Sequence, residues 1–303
     1  MSDTPVDVSV AIVNWNTSAL TRACLDALPA AVGSLRADTW VVDNASSDDS
    51  VEMIRREHPT VHVVTNTKNV GYGSGMNQAI AASRGRYVLV LNSDTSPHPG
   101  SIERMVRYMD AHPKTGAVGP MLLNPDGSFQ AGFSDFPTLL TETLCVTGIG
   151  ARLWFKNYPS YAPERSRTER SVDCIAGACM LVRRTVVDAI GAFDESFFMY
   201  SEEVDWCFRI HNAGWDIVYL PDAVIIHYGG QSTRQVREPM YRALYRHKVR
   251  FFQKHYGRAA SLALATVFVT ATRIRRTLCV LSGAEPNPAL AWSELTDQGL
   301  RPH

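Results

Sequence analysis

Asp43 closes an apolar run in the segment Val41–Ser50 (VVDNASSDDS), so its carboxylate is expected at the end of a buried strand. A carboxylate in that place can accept hydrogen bonds from a uracil or thymine N–H or from a ribose hydroxyl. The competing interpretation is a strand-end turn with helix caps. This segment alone favours neither interpretation.

The same pattern recurs at Asn92-Ser93-Asp94, which directly follows the apolar run Tyr87–Leu91 (YVLVL). A short acidic tripeptide at a strand end can hold Mg²⁺ or Mn²⁺ against a diphosphate, because hard cations prefer carboxylate oxygen. One carboxylate makes a weak metal site. His227, which follows another apolar run, can supply a second ligand or contact a phosphate. The alternatives are an Asx turn and a structural histidine.

The segment Phe193–Gly214 (FDESFFMYSEEVDWCFRIHNAG) gathers three acids at the start of a predicted helix, directly after an aromatic run. Capping and the helix dipole explain one or two acids there, and Glu202, Glu203 and Asp205 exceed that need. Apolar neighbours and like charges raise the pKa of a carboxyl group, which suits a general base. Arg209 stands at helical spacing from Asp205 and Glu202 and can orient one of them. A solvated acidic helix start is the alternative.

Three glycines, at positions 71, 73 and 75, lie in Asn69–Gln78 (NVGYGSGMNQ) and can let the backbone approach a ligand closely. Their spacing is GxGxG, and the residue after the last glycine is Met76. The segment also follows the third predicted strand rather than the first. It is therefore not the dinucleotide fingerprint, which disfavours a nicotinamide dehydrogenase. A flexible glycine turn is the alternative.

Apolar runs and helical patterns alternate along the chain and predict the elements that would position these side chains. Strands are predicted at Val8–Val13, Trp40–Val42, Val61–Val64, Tyr87–Leu91, Ile175–Val182, Asp216–Leu220 and Val224–Ile226. Helices are predicted at 17–28, 50–57, 78–83, 185–191 and 202–213. This alternation indicates an α/β fold with a mostly parallel central sheet and helices on both faces, whose ligands bind beyond the carboxyl ends of the strands. The stretch 127–171 is predicted to form loops that cover a cleft.

Composition indicates an ordinary globular protein, because 45% of the 303 residues are hydrophobic and 20% are charged. That length suffices for one large α/β domain with an appendage. The six cysteines form no CxxC pair and no zinc spacing with histidine, so we expect reduced thiols in a cytoplasmic protein. The N-terminus has no basic region followed by an apolar run, so no secretory signal is expected.

The C-terminal part is strongly basic. From Arg234 to Arg276 there are nine Arg and two Lys against one Glu, a net charge of +10 in a chain whose total is zero. The apolar stretch Ala259–Thr272 within it has 14 residues, too few to span a bilayer. Just before this stretch, aromatic residues lie among the basic ones, at Tyr241, Tyr245, Phe251, Phe252 and Tyr256. The pattern suits peripheral attachment to an anionic inner leaflet. A basic helix packed on the catalytic domain or in a homodimer interface is the alternative, and nucleic-acid binding has no supporting motif.

Together, these segments resemble the family 2 glycosyltransferases of the GT-A fold, and among them the bacterial rhamnosyltransferase-like branch. The matching segments are VAIVNWN at 10–16, VVDNASSDDS at 41–50, NVGYGSGMNQ at 69–78, LNSDT at 91–95, GAFDESFFMYSEEVDWCFRIHNAGW at 191–215 and HYGGQS at 227–232. The resemblance spans about 8–232, three quarters of the chain, and its most specific part is 191–215.

The resemblance implies a GT-A catalytic domain over 1–232, with a nucleotide-binding half at about 1–120 and an acceptor half at about 121–232, and a basic helical extension over 233–303. It implies a nucleotide-sugar site made of Asn14, Asp43, Asn44, Gly71, Gly73, Asn77, Asn92, Ser93 and Asp94. Asp94 would be the metal-binding acid of the family's DxD motif, with Asn92 in its first position and His227 as the second ligand for Mg²⁺ or Mn²⁺. The implied catalytic acids are Glu203, Glu202 and Asp205, oriented by Arg209. Glu203 stands where the family has Asp, so the choice of base between Glu202 and Glu203 stays open.

The implied activity is inverting transfer of a sugar from a nucleotide-diphosphate donor, with dTDP-L-rhamnose as the donor in this branch. The acceptor would be a hydroxyl of a glycan or lipid-linked glycan in cell-wall or surface polysaccharide synthesis. A UDP-sugar transferase is the runner-up. A sugar nucleotidyltransferase would need a Gly-rich basic loop after the first strand, where Asn14-Trp15-Asn16 stands. A non-catalytic binding module would be expected to lose the acids at 94 and 202–205.

Overall fold

The computed structural model describes residues 5–150, 168–231 and 237–282 of the chain. The chain divides into two compact units. Unit 1 comprises Met1–Phe136, Ala162–Phe198 and Glu202–Ser232, and unit 2 comprises Pro137–Tyr161, Met199–Ser201 and Thr233–His303. The change of unit after residue 232 coincides with the predicted domain boundary. Two stretches of the predicted catalytic domain, 137–161 and 199–201, group instead with the C-terminal part.

Unit 1 is built on a mixed sheet. The described strands are β1 (Val8–Asn14), β2 (Ala37–Asp43), β3 (His62–Thr65), β4 (Tyr87–Asn92), β5 (Thr95–Pro97), β6 (Thr115–Leu123), β7 (Phe129–Gln130), β8 (Phe133–Ser134), β9 (Arg170–Ser171), β10 (Cys174–Ile175), β11 (Cys179–Arg183) and β12 (Asp216–His227). The order is β3-β2-β1-β4-β11-β6-β12-β5, with β7 beside β6, β9 beside β12, and β8 and β10 as a separate pair. The strands β1 to β4 are mutually parallel, as are β6 and β12, whereas β11 and β5 run antiparallel to their neighbours. The predicted, mostly parallel sheet is confirmed.

Helices cover both faces of this sheet. The described helices are α1 (Ser18–Val32), α2 (Ser50–Glu57), α3 (Tyr72–Ala82), α4 (Ser101–Ala111), α5 (Leu139–Thr147), α6 (Arg184–Ile190), α7 (Glu202–Asn212), α8 (Arg237–His255) and α9 (Gly257–Ser282). Successive residues of β1 enter two different hydrophobic clusters. Val10 and Ile12 pack with α1, α2 and α4, whereas Ala11 packs with α3, α6 and α7. A strand that is buried on both faces needs helices on both sides, as the sequence predicts.

Several predicted elements have different bounds in the structure. The helix predicted at 78–83 begins at Tyr72, so seven of the ten residues of the glycine segment are helical. The strands predicted at 216–220 and 224–226 form the single strand β12, with a register shift between Leu220 and Val224. The strand predicted at 175–182 is two strands, β10 and β11, separated by the turn Ala176–Ala178. The predicted loops over 127–171 contain α5 and short strands, and residues 151–167 of that stretch lie outside the described part.

Unit 2 is helical. Phe251, Phe252 and Phe268 are buried, so much of the apolar and aromatic sequence around α8 and α9 packs inside the unit. The Nδ1 atom of His247 donates a 2.7 Å hydrogen bond to the carbonyl oxygen of Met199. No helix in the described part of the chain is both long and apolar enough to span a bilayer.

Candidate active site

The candidate site begins where three parallel strands end side by side. The last residue of β1, Asn14, is in register with Asp43 at the end of β2, and Val13 is in register with Asn92 at the end of β4. The predicted nucleotide-binding residues therefore share the carboxyl edge of the sheet, where α/β proteins bind ligands.

Asp43 organises the turn that follows β2. Its Oδ1 accepts hydrogen bonds from Asn14 Nδ2 at 2.8 Å and from Ser46 Oγ at 2.6 Å, and its Oδ2 accepts one from the Ser46 backbone N–H at 2.9 Å. The Asn14 Oδ1 in turn accepts bonds from the hydroxyls of Thr17 and Thr21, both at 2.7 Å. A carboxylate has about four acceptor positions, so Asp43 can still accept a bond from a ligand. Ser46 is a member of this network that the sequence analysis missed.

Asn44 connects the end of β2 to the start of α3. Its Nδ2 donates to the carbonyl oxygen of Gly71 at 3.0 Å, and its Oδ1 accepts from Asn66 Nδ2 at 2.9 Å. The side chain is buried. Donor binding by Asn44 stays a prediction, and the structure shows it fixing the glycine segment.

The glycines at 71, 73 and 75 allow close packing against other parts of unit 1. A Cβ at Gly71, where φ is +92°, would lie 2.7 Å from the carbonyl oxygen of Phe198. A Cβ at Gly73 would lie 3.3 Å from that of Phe193, and a Cβ at Gly75 would lie 2.9 Å from a methyl of Val13. Close packing within the protein therefore explains why these three positions carry no side chain. Nucleotide-sugar binding by Gly71 and Gly73 stays a prediction.

Asn77 holds the segment that precedes the acidic helix. Its Oδ1 accepts from the backbone N–H of Phe193 at 3.0 Å, and its Nδ2 donates to the carbonyl oxygen of Phe193 at 2.9 Å and to Glu195 Oε1 at 3.0 Å. The structure therefore shows Asn77 positioning this segment, and its contact with the donor stays a prediction.

Asp94 and His227 form a close pair. The side chain of Asp94 is only 10% exposed, and its Oδ1 lies 3.3 Å from His227 Nε2. The other ring nitrogen, Nδ1, lies 2.7 Å from Gln130 Oε1. The amide nitrogen of Gln130 donates to Asn124 Oδ1, which fixes Oε1 as an acceptor and places a proton on His227 Nδ1. In the neutral imidazole, the Nε2 lone pair then faces Asp94.

Two acceptors that face each other at 3.3 Å call for a cation or a proton between them. Two ligands of one octahedral divalent cation stand about 3 Å apart, given bond lengths of about 2.1 Å. The hydrogen bond from His227 to Gln130 is the outer contact that a metal-binding histidine usually makes. The side-chain amide of Asn92 lies beside the pair, with Nδ2 at 3.5 Å from His227 Nε2. Its Oδ1 is buried and has no hydrogen-bond partner among the described residues. These residues fit Mg²⁺ or Mn²⁺. No group of three or more His, Cys, Asp or Glu suited to a metal occurs in the described ranges, so the remaining ligands would come from substrate phosphate and water.

Ser93 contributes through its hydroxyl, which lies 3.0 Å from that of Thr17. This bond ties the turn after β4 to the start of α1. Contact of Ser93 with the donor stays a prediction.

Glu202 and Glu203 open α7 in different environments. Glu202 is 4% exposed, and its Oε2 has no hydrogen-bond partner among the described residues. Burial, followed by the charge of Glu203, raises the pKa of Glu202 well above its ordinary value. The raised pKa predicted for an acid at this helix start therefore falls on Glu202. Glu203 is half-buried, and its side chain lies beside Gly177.

Tyr72 lies among the acids of the site and was missed by the sequence analysis. Its hydroxyl donates to the carbonyl oxygen of Gly177 at 2.9 Å. Burial, and then the charges of Glu202, Glu203 and Asp94, raise the pKa of Tyr72 well above its ordinary value. The phenol therefore lies near three of the acids that the sequence analysis singled out. The only available signal was an aromatic residue inside the glycine segment.

Asp205 is buried and paired, and its assignment as a catalytic acid stays a prediction. Its side chain is fully buried, and its Oδ2 accepts a 2.9 Å bond from Arg209 Nε. The same guanidinium donates to the carbonyl oxygens of Ile190 at 2.8 Å and Ala192 at 2.5 Å. The predicted pairing of Arg209 with Asp205 is confirmed, and the guanidinium also holds the chain between α6 and α7. An orienting role of Arg209 towards the base stays a prediction.

Comparisons with known proteins show the family of this chain. A family model described as "Glycosyltransferase like family 2" matches residues 5–250. The chain is similar to the N-acetylglucosaminyl-diphospho-decaprenol L-rhamnosyltransferase of Mycobacterium tuberculosis (strain ATCC 25618 / H37Rv), with 32% identity over 263 residues, which cover 78% of this chain and 84% of the relative. It is also similar to a rhamnosyltransferase of Escherichia coli (strain K12), with 26% identity over 54% of this chain and 63% of that protein.

Solved structures share the fold. The mannosyltransferase of Pyrobaculum calidifontis, solved in complex with GDP-Man and Mn²⁺, is similar with a TM-score of 0.58 and 17% identity, over 97% of this chain and 80% of that chain. Residues 1–349 of TarS from S. aureus are similar with a TM-score of 0.54 and 14% identity, over 98% of this chain and 76% of that chain. At these identities the likeness concerns the fold alone.

Proposed function

This chain belongs to glycosyltransferase family 2 and is a glycosyltransferase of the GT-A fold, and we propose that it transfers L-rhamnose from dTDP-L-rhamnose to a hydroxyl of a lipid-linked glycan. The product would serve cell-wall or surface polysaccharide synthesis. The observation that carries this proposal is the similarity to the mycobacterial relative, whose name gives both the sugar and a polyprenyl-diphosphate acceptor, over 84% of its length.

The nucleoside of the donor is assigned to Asp43. Its carboxylate is held in place by Asn14 and Ser46 and keeps acceptor capacity for a thymine N–H or a ribose hydroxyl. Because the carboxylate is already ordered, binding a nucleoside would cost little further conformational entropy.

The diphosphate is assigned to the edge of the sheet at Asp94 and His227. These two residues would hold Mg²⁺ or Mn²⁺, with Gln130 fixing the imidazole. A divalent cation bound there supplies positive charge against the diphosphate of the donor as it leaves. Asp94 accepts a hydrogen bond from the backbone N–H of Gln231, and His227 donates one to Gln130 Oε1, so both side chains are ordered and can bind without large rearrangement.

The base is assigned to Glu203. Glu202 is almost completely buried, which favours its neutral form and closes it to an acceptor. Glu203 is more exposed and adjoins Gly177, near the phenol of Tyr72. In a single displacement, the acceptor oxygen forms a bond to the anomeric carbon while the bond from that carbon to the diphosphate breaks. The acceptor proton passes to the carboxylate of Glu203, and the configuration inverts.

Unit 2 is assigned to a peripheral contact with anionic lipid at the cytoplasmic face of the membrane, where a lipid-linked acceptor would be presented. Phe251 and Phe252 belong to the pattern from which membrane attachment was predicted, but both are buried, so the proposed contact surface has to lie elsewhere in the unit. Near the end of α9, Ile274, Leu278 and Leu281 are exposed and share one helix face.

Charge around that face matches an anionic surface. Arg273 and Arg275 flank the stripe on its two sides, at about 100° per residue around the helix. The sequence of α9 contains four Arg and no acid. An apolar stripe between cations suits an interfacial helix. A homodimer interface is the alternative for the same face.

A thermal-shift screen tests the donor assignment. Ligands that bind the folded state raise its unfolding temperature in proportion to affinity. We expect dTDP-L-rhamnose with Mn²⁺ to stabilise the protein more than UDP-glucose, UDP-N-acetylglucosamine or GDP-mannose with the same metal. Stronger stabilisation by a UDP-sugar would overturn the dTDP-L-rhamnose assignment and support the runner-up.

A further inference from the structure

We propose that Tyr72 is a positioning residue for Glu203 and acts through the turn Ala176–Ala178. The inference rests on the proposed role of Glu203 as the base. It gives the glycine segment, through Tyr72, a role in positioning the proposed base, in addition to its packing against the chain before α7.

The phenol of Tyr72 is fixed at several points. Its hydroxyl donates to the Gly177 carbonyl at 2.9 Å, and its backbone N–H donates to the Phe198 carbonyl at 2.9 Å. Its ring meets that of Phe193 edge-on at 6.1 Å. A hydroxyl group held in this way can fix the position of the carbonyl to which it donates.

The turn between β10 and β11 contacts both the proposed metal-binding tripeptide and the proposed base. The carbonyl oxygen of Ala178 accepts a 2.9 Å bond from the backbone N–H of Asn92, at the start of the metal-binding tripeptide. On its other side, a Cβ at Gly177 would lie 3.5 Å from the Cβ of Glu203 and 3.7 Å from its Cγ. The side chain of Glu203 therefore stands beside a turn whose position the Tyr72 hydroxyl helps to set.

The surroundings make this hydrogen bond hard to replace. Burial disfavours ionisation of the phenol, and the neighbouring acids at 202, 203 and 94 act in the same direction, so the pKa of Tyr72 is raised and the hydroxyl remains a donor. Removal of the hydroxyl would leave the Gly177 carbonyl without this donor beside three acids. A shift of the turn of about 1 Å would be enough to misplace a catalytic group.

The test is Tyr72→Phe, with Tyr87→Phe as the matched control. The Tyr87 hydroxyl also donates to a protein oxygen, that of Asp110 at 2.8 Å, at the opposite end of β4. We expect Tyr72→Phe to lower kcat about tenfold, with KM for the nucleotide sugar within about twofold of wild type. Tyr87→Phe should leave kcat within about twofold at a comparable loss of thermal stability. Wild-type kcat in Tyr72→Phe, or an equal fall of kcat in both variants, would overturn the proposal.

A double-mutant cycle shows whether Tyr72 acts through Glu203. Glu203→Asp restores the residue usual in the family and keeps a carboxylate with a shorter reach. We expect the effects of Tyr72→Phe and Glu203→Asp on kcat to be non-additive, whereas Tyr87→Phe and Glu203→Asp should multiply. Multiplicative effects at positions 72 and 203 would overturn the inference while leaving the base assignment intact. Wild-type kcat in Glu203→Gln would overturn the base assignment, and the inference with it, so the two failures are distinguishable.

Discussion

The Nε2 atom of His227 lies 3.3 Å from Oδ1 of Asp94, while Nδ1 of the same ring is held by Gln130 at 2.7 Å. Asp94 lies two residues after the end of β4 and His227 is the last residue of β12, so the two are 133 residues apart in sequence. The antiparallel pairing of β12 with β5 brings them together, with His227 in register with Thr95. Two facing acceptors at this distance need a shared cation or a proton between them, and the pair is compatible with either.

Replacement of His227 by alanine should weaken metal dependence. Because one of two protein ligands is lost, we expect the Mn²⁺ concentration for half-maximal transfer to rise about 10- to 100-fold, with partial recovery of the rate at high Mn²⁺. The measurement is a Mn²⁺ titration of the transfer rate. The exposed His98, replaced by alanine, serves as the control and should leave the titration unchanged. An unchanged Mn²⁺ titration in His227→Ala would remove His227 from the metal site.

Replacement of Glu202 by glutamine should change how stability depends on pH. Burial raises the folded-state pKa of Glu202 above the ordinary value of 4.5, so the folded protein binds this proton more tightly than the unfolded chain. The stability that this group supplies is complete below the ordinary value and is lost as the pH rises through the raised pKa. A neutral amide does not suffer that loss.

We therefore expect Glu202→Gln to unfold at a higher temperature than wild type in alkaline buffer, and the difference to shrink towards pH 4.5. Thermal unfolding across a pH series measures it. Glu52→Gln, at an exposed position of α2, should show no such trend. A variant that is less stable than wild type at every pH would show that Glu202 is not a buried group that prefers its neutral form.

The exposed stripe of α9 should control binding to anionic vesicles. Ile274→Asp with Leu278→Asp places charge on the proposed contact face, and we expect at least about a tenfold loss of partitioning to phosphatidylglycerol vesicles at low salt. Leu262→Asp is the matched control, since Leu262 is exposed on the same helix about 120° away. Equal partitioning of both variants and wild type, or a monomer–dimer change without vesicle binding, would favour the dimer alternative.

Much of the sheet edge could be predicted from the sequence, because apolar runs identify buried strands and the next polar residue marks their ends. Asp43, Asp94 and His227 were found in this way. Asp43 and Asp94 share one edge because β1, β2 and β4 are parallel neighbours, whereas His227 reaches Asp94 through the pairing of β12 with β5. The strand β6 was missed, since TGAVGPMLL contains two glycines and a proline, which are uncommon in strands.

The parts that could not be predicted depend on contacts between distant segments. The spacing of the glycines at 71, 73 and 75 indicates a close approach but not its partner, which is the protein chain at Phe193, Phe198 and Val13. Likewise, three acids at one helix start look equivalent in the sequence. Only the fold separates the paired Asp205, the buried Glu202 and the more exposed Glu203.

The most direct test is the rate of rhamnose transfer by wild type and Glu203→Gln, with dTDP-L-rhamnose, Mn²⁺ and a polyprenyl-diphosphate-linked N-acetylglucosamine acceptor. We expect wild type to form the rhamnosylated lipid and Glu203→Gln to lose about 10²- to 10⁴-fold in turnover, while its thermal stabilisation by the donor is retained. Near-wild-type turnover in Glu203→Gln would contradict the assignment of the base. No product from wild type with this donor and acceptor, but product with a UDP-sugar, would contradict the assignment of the substrate.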